Sequence, residues 1–236
     1  MTGTVLIAGA SGLVGTAAAI EFADAGWNVI ALSRRVPELL EGRGCRHLAL
    51  DLTDATACRE AAAALTDVTH VIYTAVFELP GLIDGWTDPV QIETNGRMLR
   101  NLLDPLSEHA TLKHVSLLQG TKAYGITVGE MRVPGRESQP RVEHPNFYWV
   151  QEDYLREAAA KAGFAYSIFR PQLIVGPNHG VVMNLPPVIG VYAAIRRELG
   201  EPFAVPRRCN VGVGSRGYAP RRRRLALGDR RAGRGR

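Results

Sequence analysis

The stretch "TVLIAGASGLVG" (residues 4–15) restricts the fold of this chain more than any other part of it. A continuous apolar run leads directly into Gly9-x-x-Gly12-x-x-Gly15, and a helical pattern then runs through "GLVGTAAAIEFADAG" to Gly26. A strand that enters a helix through glycines at this spacing builds a cradle of backbone. Gly9 allows a tight turn, Gly12 a close approach to a pyrophosphate, and Gly15 close packing of helix on strand. The unpaired N–H groups and the positive end of the helix dipole face the same anion. A glycine triplet alone also occurs in turns between packed elements, so the surrounding pattern has to carry the reading.

That pattern persists for 175 residues. "NVIALS" (28–33) and "RHLALD" (46–51) read as strands two and three, and "DATACREAAAALTD" (54–67) as a helix capped by Asp54. "THVIYTAV" (69–76) is strand four, residues 88–107 a long helix, and "LKHVSLL" (112–118) strand five. "NFYWVQEDYLREAAAKAG" (146–163) is a helix stopped by Gly163, and "AYSIFRP" (165–171) strand six. Unbroken apolar strands separated by helices require right-handed crossovers and burial on both faces. The predicted fold class is α/β, a doubly wound parallel sheet of the Rossmann type. It divides into a dinucleotide-binding domain over 1–175, a partial substrate-binding region over 176–206 with one helix near 188–200, and a tail over 207–236.

Composition narrows the function classes. The apolar fraction is 46%, with no run approaching the roughly 20 apolar residues of a membrane span. The first residues lack the charged segment and cleavage site of a secretory signal. Cys45, Cys58 and Cys209 have no metal-ligand spacing and no even pairing, and the six histidines show no i, i+4 pair. The expectation is a cytoplasmic protein without metal, membrane or disulfides. The net charge of +5 is unevenly placed. From Arg207 onward eleven arginines face one acid, Asp229, whereas the preceding 206 residues hold 17 basic and 22 acidic side chains. The body is therefore acidic, and any nucleic-acid contact through the tail is a minor reading.

The choice of cofactor falls at the end of strand two. An acid there would accept from a ribose 2′-OH and repel a 2′-phosphate; the chain instead has Ser33, Arg34 and Arg35. Adjacent guanidiniums suit a phosphate monoester, so NADPH is expected over NADH. Asp51 and Leu52 after strand three, with Thr74 and Ala75 after strand four, would lie at the adenosine end.

The glycine spacing resembles that of the short-chain dehydrogenase/reductases, but their helical Tyr-x-x-x-Lys pair is missing. Four residues after Tyr148 stands Glu152, and four after Tyr154 stands Ala158. Lys122, one of only three lysines, lies in the loop "SLLQGTKAYG" where those enzymes carry Ser or Thr. With "GASGLVG", "LSRR", "NGRMLRNLLDPL", "LLQGTKAYG", "EHPNFYWVQEDYL" and "FRPQLIVGP" in this order, residues 4–206 resemble the progesterone 5β-reductase/iridoid synthase-like family of atypical, extended short-chain reductases. The resemblance implies NADPH-dependent reduction of activated C=C bonds in an enone or enal. It places the family's lysine at Lys122 and its tyrosine at Tyr148, with Trp149 replacing a second aromatic. It puts cofactor contacts on Ser11, Gly12, Leu13, Arg34, Arg35, Asp51, Leu52, Thr74, Ala75, Gln119, Tyr148 and Ile174. In the mechanism it implies, Tyr148 donates to the developing enolate oxygen, and Lys122 holds the cofactor ribose and lowers the phenol pKa.

Two other readings stand beside it: a carbonyl reductase or sugar-nucleotide epimerase, which would need the missing helical pair, and a redox sensor that binds NADPH without turnover. A homodimer is compatible with each. The expected reductase text stops after "GEPFAVP". One back-translation of Cys209–Pro220, shifted by one base, reads Ala-Thr-Trp-Val-Trp-Glu-Ala-Ala-Asp-Thr-Arg, which suits a reductase. The tail is thus read either as the product of a frameshift or as a disordered basic segment, and the substrate wall as incomplete.

Overall fold

Parallel strands bury both faces, and the apolar runs of this chain are spent in that way. The computed structural model describes residues 3–80, 84–177 and 184–204. Strands β1 (Thr4–Ala8), β2 (Asn28–Leu32), β3 (Arg46–Leu48), β4 (Val68–Tyr73), β5 (His114–Leu118) and β6 (Ala165–Phe169) form one parallel sheet. Their order is β3-β2-β1-β4-β5-β6. Helices α1 (Leu13–Asp24), α2 (Ala55–Ala62), α3 (Pro89–His109) and α4 (Phe147–Ala162) are the crossovers. The doubly wound parallel sheet anticipated from the sequence is the one observed.

Two apolar layers hold it. On one face Leu99, Leu102, Leu103 and Leu106 of α3 and Leu155 of α4 pack with Leu6, Val71, Val115 and Leu117. On the other, Ala19 of α1 packs with Val5, Ile7, Val29 and Ala31. Alternate residues of a strand point to opposite faces, which is why neighbours such as Leu6 and Ile7 belong to different layers.

Helix starts follow their caps. The Asp54 carboxylate accepts from the N–H groups of Thr56 and Ala57 at 2.9 and 3.0 Å. Asp88 accepts from Val90 N–H at 2.7 Å, with Pro89 as the first helical residue. Gly163 ends α4 in the left-handed region, φ 78°.

Apolar runs outlast their ladders. β3 ends at Leu48, not residue 51, because this edge strand pairs only with β2 over three residues. Leu50 and Leu52 remain buried although they lie in the following loop. α2 likewise stops at Ala62, and Leu65 is buried from a turn. Apolar pattern reports burial, and a strand ends where its hydrogen-bonding partner ends.

Residues 1–192 make one compact unit, and a second begins at Ala193, within α5 (Leu185–Glu198). The tail read from Arg207 onward lies outside the described residues. Among the described residues no helix is long and apolar enough to cross a membrane.

Candidate active site

The order of the sheet reverses between β1 and β4, and ligands of open α/β sheets bind at the carboxyl ends of the strands beside such a reversal. A cavity of about 170 Å³ opens there. Eight of the cofactor residues read from the sequence line it: Gly9, Ser11, Gly12, Arg34, Asp51, Leu52, Thr74 and Ala75. The glycines fit a dinucleotide cradle on steric grounds. Gly9 has φ 86°, and a Cβ there would lie 2.7 Å from the Ala75 nitrogen. A Cβ on Gly15 would collide with the Gly9 carbonyl, whose carbon would be 2.7 Å away. Gly12 caps α1 without a side-chain bond, and the first turn holds no acid, which leaves its N–H groups for phosphate oxygens.

The remaining cofactor residues are placed differently. Leu13 is buried, and its side chain packs where a Cβ on Gly176 would lie. Arg35 is exposed and outside the cavity lining, whereas Arg34 is part of it. Asp51 accepts from the Thr53 N–H and hydroxyl at 2.9 and 2.8 Å. The Thr53 backbone bond chiefly, with Arg34 adding, holds its carboxyl below the ordinary value against the effect of burial. Gln119 and Ile174 lie beyond the cavity, Ile174 half-buried and Gln119 buried.

Lys122 sits in a 3-10 turn, Thr121–Tyr124, directly after β5, and Tyr148 in the first turn of α4. A Cβ on Gly120 would lie 3.3 Å from the Tyr148 hydroxyl and 3.6 Å from the Pro171 carbonyl oxygen. The phenol therefore reaches the carboxyl ends of β5 and β6. Both candidates meet on Trp86: the Lys122 ammonium stands 3.2 Å above its ring centroid, and the Tyr148 ring packs edge-on at 5.3 Å. No hydrogen bond among the described residues joins the two side chains. Burial lowers the Lys122 pKa to about 8, with the Glu78 carboxylate opposing. The expected lowering of the phenol pKa is not observed. Burial pushes Tyr148 up, and Glu78 adds to the rise, so the hydroxyl keeps its proton.

Glu78 lies on a loop clamped from α3. Asn95 accepts from Phe77 N–H and donates to Phe77 O, both at 2.8 Å, and Gln91 accepts from Leu79 N–H at 2.8 Å. Trp86 and Glu78 were not among the residues singled out from the sequence. No local pattern marks either, because each owes its place to α3 or to an adjoining turn.

The position that holds lysine in ordinary short-chain reductases is occupied by a buried ion-pair hub. Glu152, 3% exposed, accepts from Arg170 at 2.6 Å and Arg156 at 2.9 Å, and pairs with Arg141 at 3.2 Å. Arg170 also donates to Gln119 at 2.9 Å, and Gln119 donates to the Tyr148 carbonyl at 3.0 Å. Gln119, expected at the cofactor, thus spends its side chain behind the tyrosine. Burial pushes the Glu152 carboxyl up, yet hydrogen bonds from Arg156 and the charge of Arg170 bring it below its ordinary value.

Residues 5–199 match the profile of the NAD dependent epimerase/dehydratase family. The chain belongs to that family. Among similar proteins, a 3-oxo-Delta(4,5)-steroid 5-beta-reductase of Arabidopsis thaliana is 34% identical across 85% of this chain and 54% of its own length. An (S)-8-oxocitronellyl enol synthase of Antirrhinum majus is 32% identical across 84% of this chain and 52% of its own. The chain spans about half the length of these relatives. The UDP-glucose 4-epimerase of Bifidobacterium longum, solved with NAD+ and UDP, superposes with a TM-score of 0.67 at 20% identity, over 81% of this chain and 62% of that one. At that identity the likeness concerns the fold. The resemblance drawn from "LLQGTKAYG" and "NFYW" agrees with the names of the sequence relatives.

Replacing Glu152 by Ala leaves three guanidiniums facing each other without their shared carboxylate. The expected loss is about 3 kcal/mol of unfolding free energy in urea, since the arginines are partly solvated. Because the folded-state pKa is depressed, the parent should lose this contribution as pH falls through that pKa, and the variant should lack that part of the acid dependence.

Proposed function

We propose that this chain forms the cofactor-binding and catalytic part of an NADPH-dependent reductase of α,β-unsaturated carbonyl compounds. The observation that carries the reading is a half-buried Tyr148 whose hydroxyl lies at the ends of β5 and β6 and whose pKa is raised by burial, with the half-buried Lys122 ammonium against the same indole ring. The named activities of the sequence relatives, steroid 5β-reduction and an enol synthase, agree with it.

Gly9, Gly12, Arg34 and Thr74 of the cavity lining would hold a dinucleotide, which when bound would supply a hydride to the β-carbon of the enone. As that carbon is reduced, charge gathers on the carbonyl oxygen, and Tyr148 O–H donates to it where the charge develops. The raised phenol pKa suits a donor that retains its proton. Lys122 adds a positive charge on the same side, and a proton from water completes the α-carbon. Glu152 at the Tyr148+4 position, saturated by arginines, weighs against the carbonyl-reductase and epimerase reading. NADPH is favoured by Arg34 in the cavity lining and by the lack of an acid after β2.

The purified chain, offered NADPH and a panel of enones and enals, is expected to oxidise the cofactor, and Tyr148→Phe to lose about 10²- to 10³-fold in kcat. NADPH binding without oxidation of any panel member would instead favour the sensor. Arg34→Gln should weaken NADPH at least tenfold in a fluorescence titration and leave NADH nearly unchanged, since a charged contact is worth about 1.5–3 kcal/mol. The pH profile of kcat/KM should fall above about 8 as Lys122 deprotonates. Glu78→Gln removes the charge that favours the ammonium, so this limb should move to lower pH.

A further inference from the structure

Asn146 is 5% exposed, and each polar atom of its side chain is in use. Its Oδ1 accepts from the Tyr148 N–H at 3.0 Å, capping α4. Its Nδ2 donates to the Lys122 carbonyl at 3.0 Å, across 24 residues of chain. The second Nδ2 hydrogen faces Nε2 of His144 at 3.2 Å, and His144 Nδ1 contacts the Val142 carbonyl at 2.8 Å. These contacts agree on one histidine tautomer, with the proton on Nδ1 and Nε2 accepting. The same segment closes on the lysine turn elsewhere: a Cβ on Gly125 would lie 2.9 Å from the Val142 side chain.

Helix capping does not explain the choice of residue. Asp, Ser and Thr cap as Asn does, through an oxygen that accepts from the backbone. Only the amide caps and also donates twice; an ionised carboxylate has no donor, and a hydroxyl has one. The donors go to Lys122 and to the loop that leads into Tyr148. A second bond holds the far side of the same residue, where Gln119 donates to the Tyr148 carbonyl. Among the described residues, the Asn146 side chain is the one that hydrogen-bonds the main chain of Tyr148 and that of Lys122 itself, beside their shared packing on Trp86.

We propose that Asn146 is the positioning residue for the reductase site, setting the separation of Lys122 and Tyr148 by joining the main chain of one to that of the other through a single side-chain amide. The proposal rests on the reading of Lys122 and Tyr148 as the working pair. Capping keeps the start of α4 in place, whereas the donor to Lys122 keeps the 3-10 turn in register with it. Removal of the donor alone should release the lysine turn while the helix remains.

Asn146→Asp and Asn146→Ser make that separation, since both retain the cap and lose the donor pattern. Three measurements are made on each variant and on the parent: the melting temperature, the enone kcat with NADPH, and the titration of Lys122 in the cofactor-free protein. The titration uses reductive ¹³C-methylation and NMR, which is simple in a chain with lysines only at 113, 122 and 161. The expected result is a melting temperature close to the parent, a kcat at least tenfold lower in both variants, and a changed Lys122 titration. Rates within twofold of the parent and an unmoved titration would overturn the proposal, leaving Asn146 a cap. A moved titration with unchanged rate would overturn the link to catalysis, and loss of the melting transition in both variants would make the residue structural. Full activity of Tyr148→Phe would sink the functional reading separately, without touching the NMR result.

Discussion

The carbonyl of Gly9 stands where a side chain at Gly15 would begin, and much of the molecule depends on that contact. It brings the N-terminus of α1 against the turn after β1, at the point where the sheet order reverses. A methyl group in that place would push the helix off the strand, since the obstacle is backbone rather than a movable side chain. The cavity beside it, with Arg34 and Asp51 on its wall, exists because β1, β2 and β4 all end at this level. The glycines therefore work by what they omit, and the dipole of an uncapped helix remains available to an anion.

Toward the β5–β6 side of the sheet, also at the carboxyl ends of the strands, the constraint is polar. Tyr148 is held from three directions: its N–H by Asn146, its carbonyl by Gln119, and its ring by Trp86 and Phe147. Gln119 is in turn fixed by Arg170, and Arg170 by Glu152. A buried carboxylate of this kind is a poor source of net stability, because desolvation offsets much of the attraction. Removing it is costly because the arginines are then uncompensated, but what the complete cluster adds is chiefly geometric. It joins α4 to the ends of β5 and β6, the surfaces between which the phenol lies.

The same arrangement accounts for the unequal titration of the two candidate groups. Burial opposes charge on each, so it raises the phenol and lowers the ammonium. Glu78 acts on both in one direction, favouring the proton. The outcome is a phenol raised by burial and an ammonium lowered to about 8, both against Trp86, which differs from the usual picture of a lysine that lowers a neighbouring tyrosine.

Local residue choice was enough to foresee the parallel sheet, the Gly9–Gly15 cradle, the Asp54 cap and the Gly163 stop, because each is a matter of backbone sterics or of hydrogen bonds within a few residues. The resemblance carried by "LLQGTKAYG" and "NFYW" likewise pointed to Lys122 and Tyr148 as the candidates. Their surroundings could not be read in that way. Trp86 under the ammonium, Glu78 within its field, the arginines around Glu152 and the Asn146 bridge to Lys122 join segments distant in the chain. What linear sequence determined here is which groups are present and which elements carry them. Which of them meet was decided by tertiary packing, since pKa and orientation depend on burial and on neighbours that only the folded chain brings together.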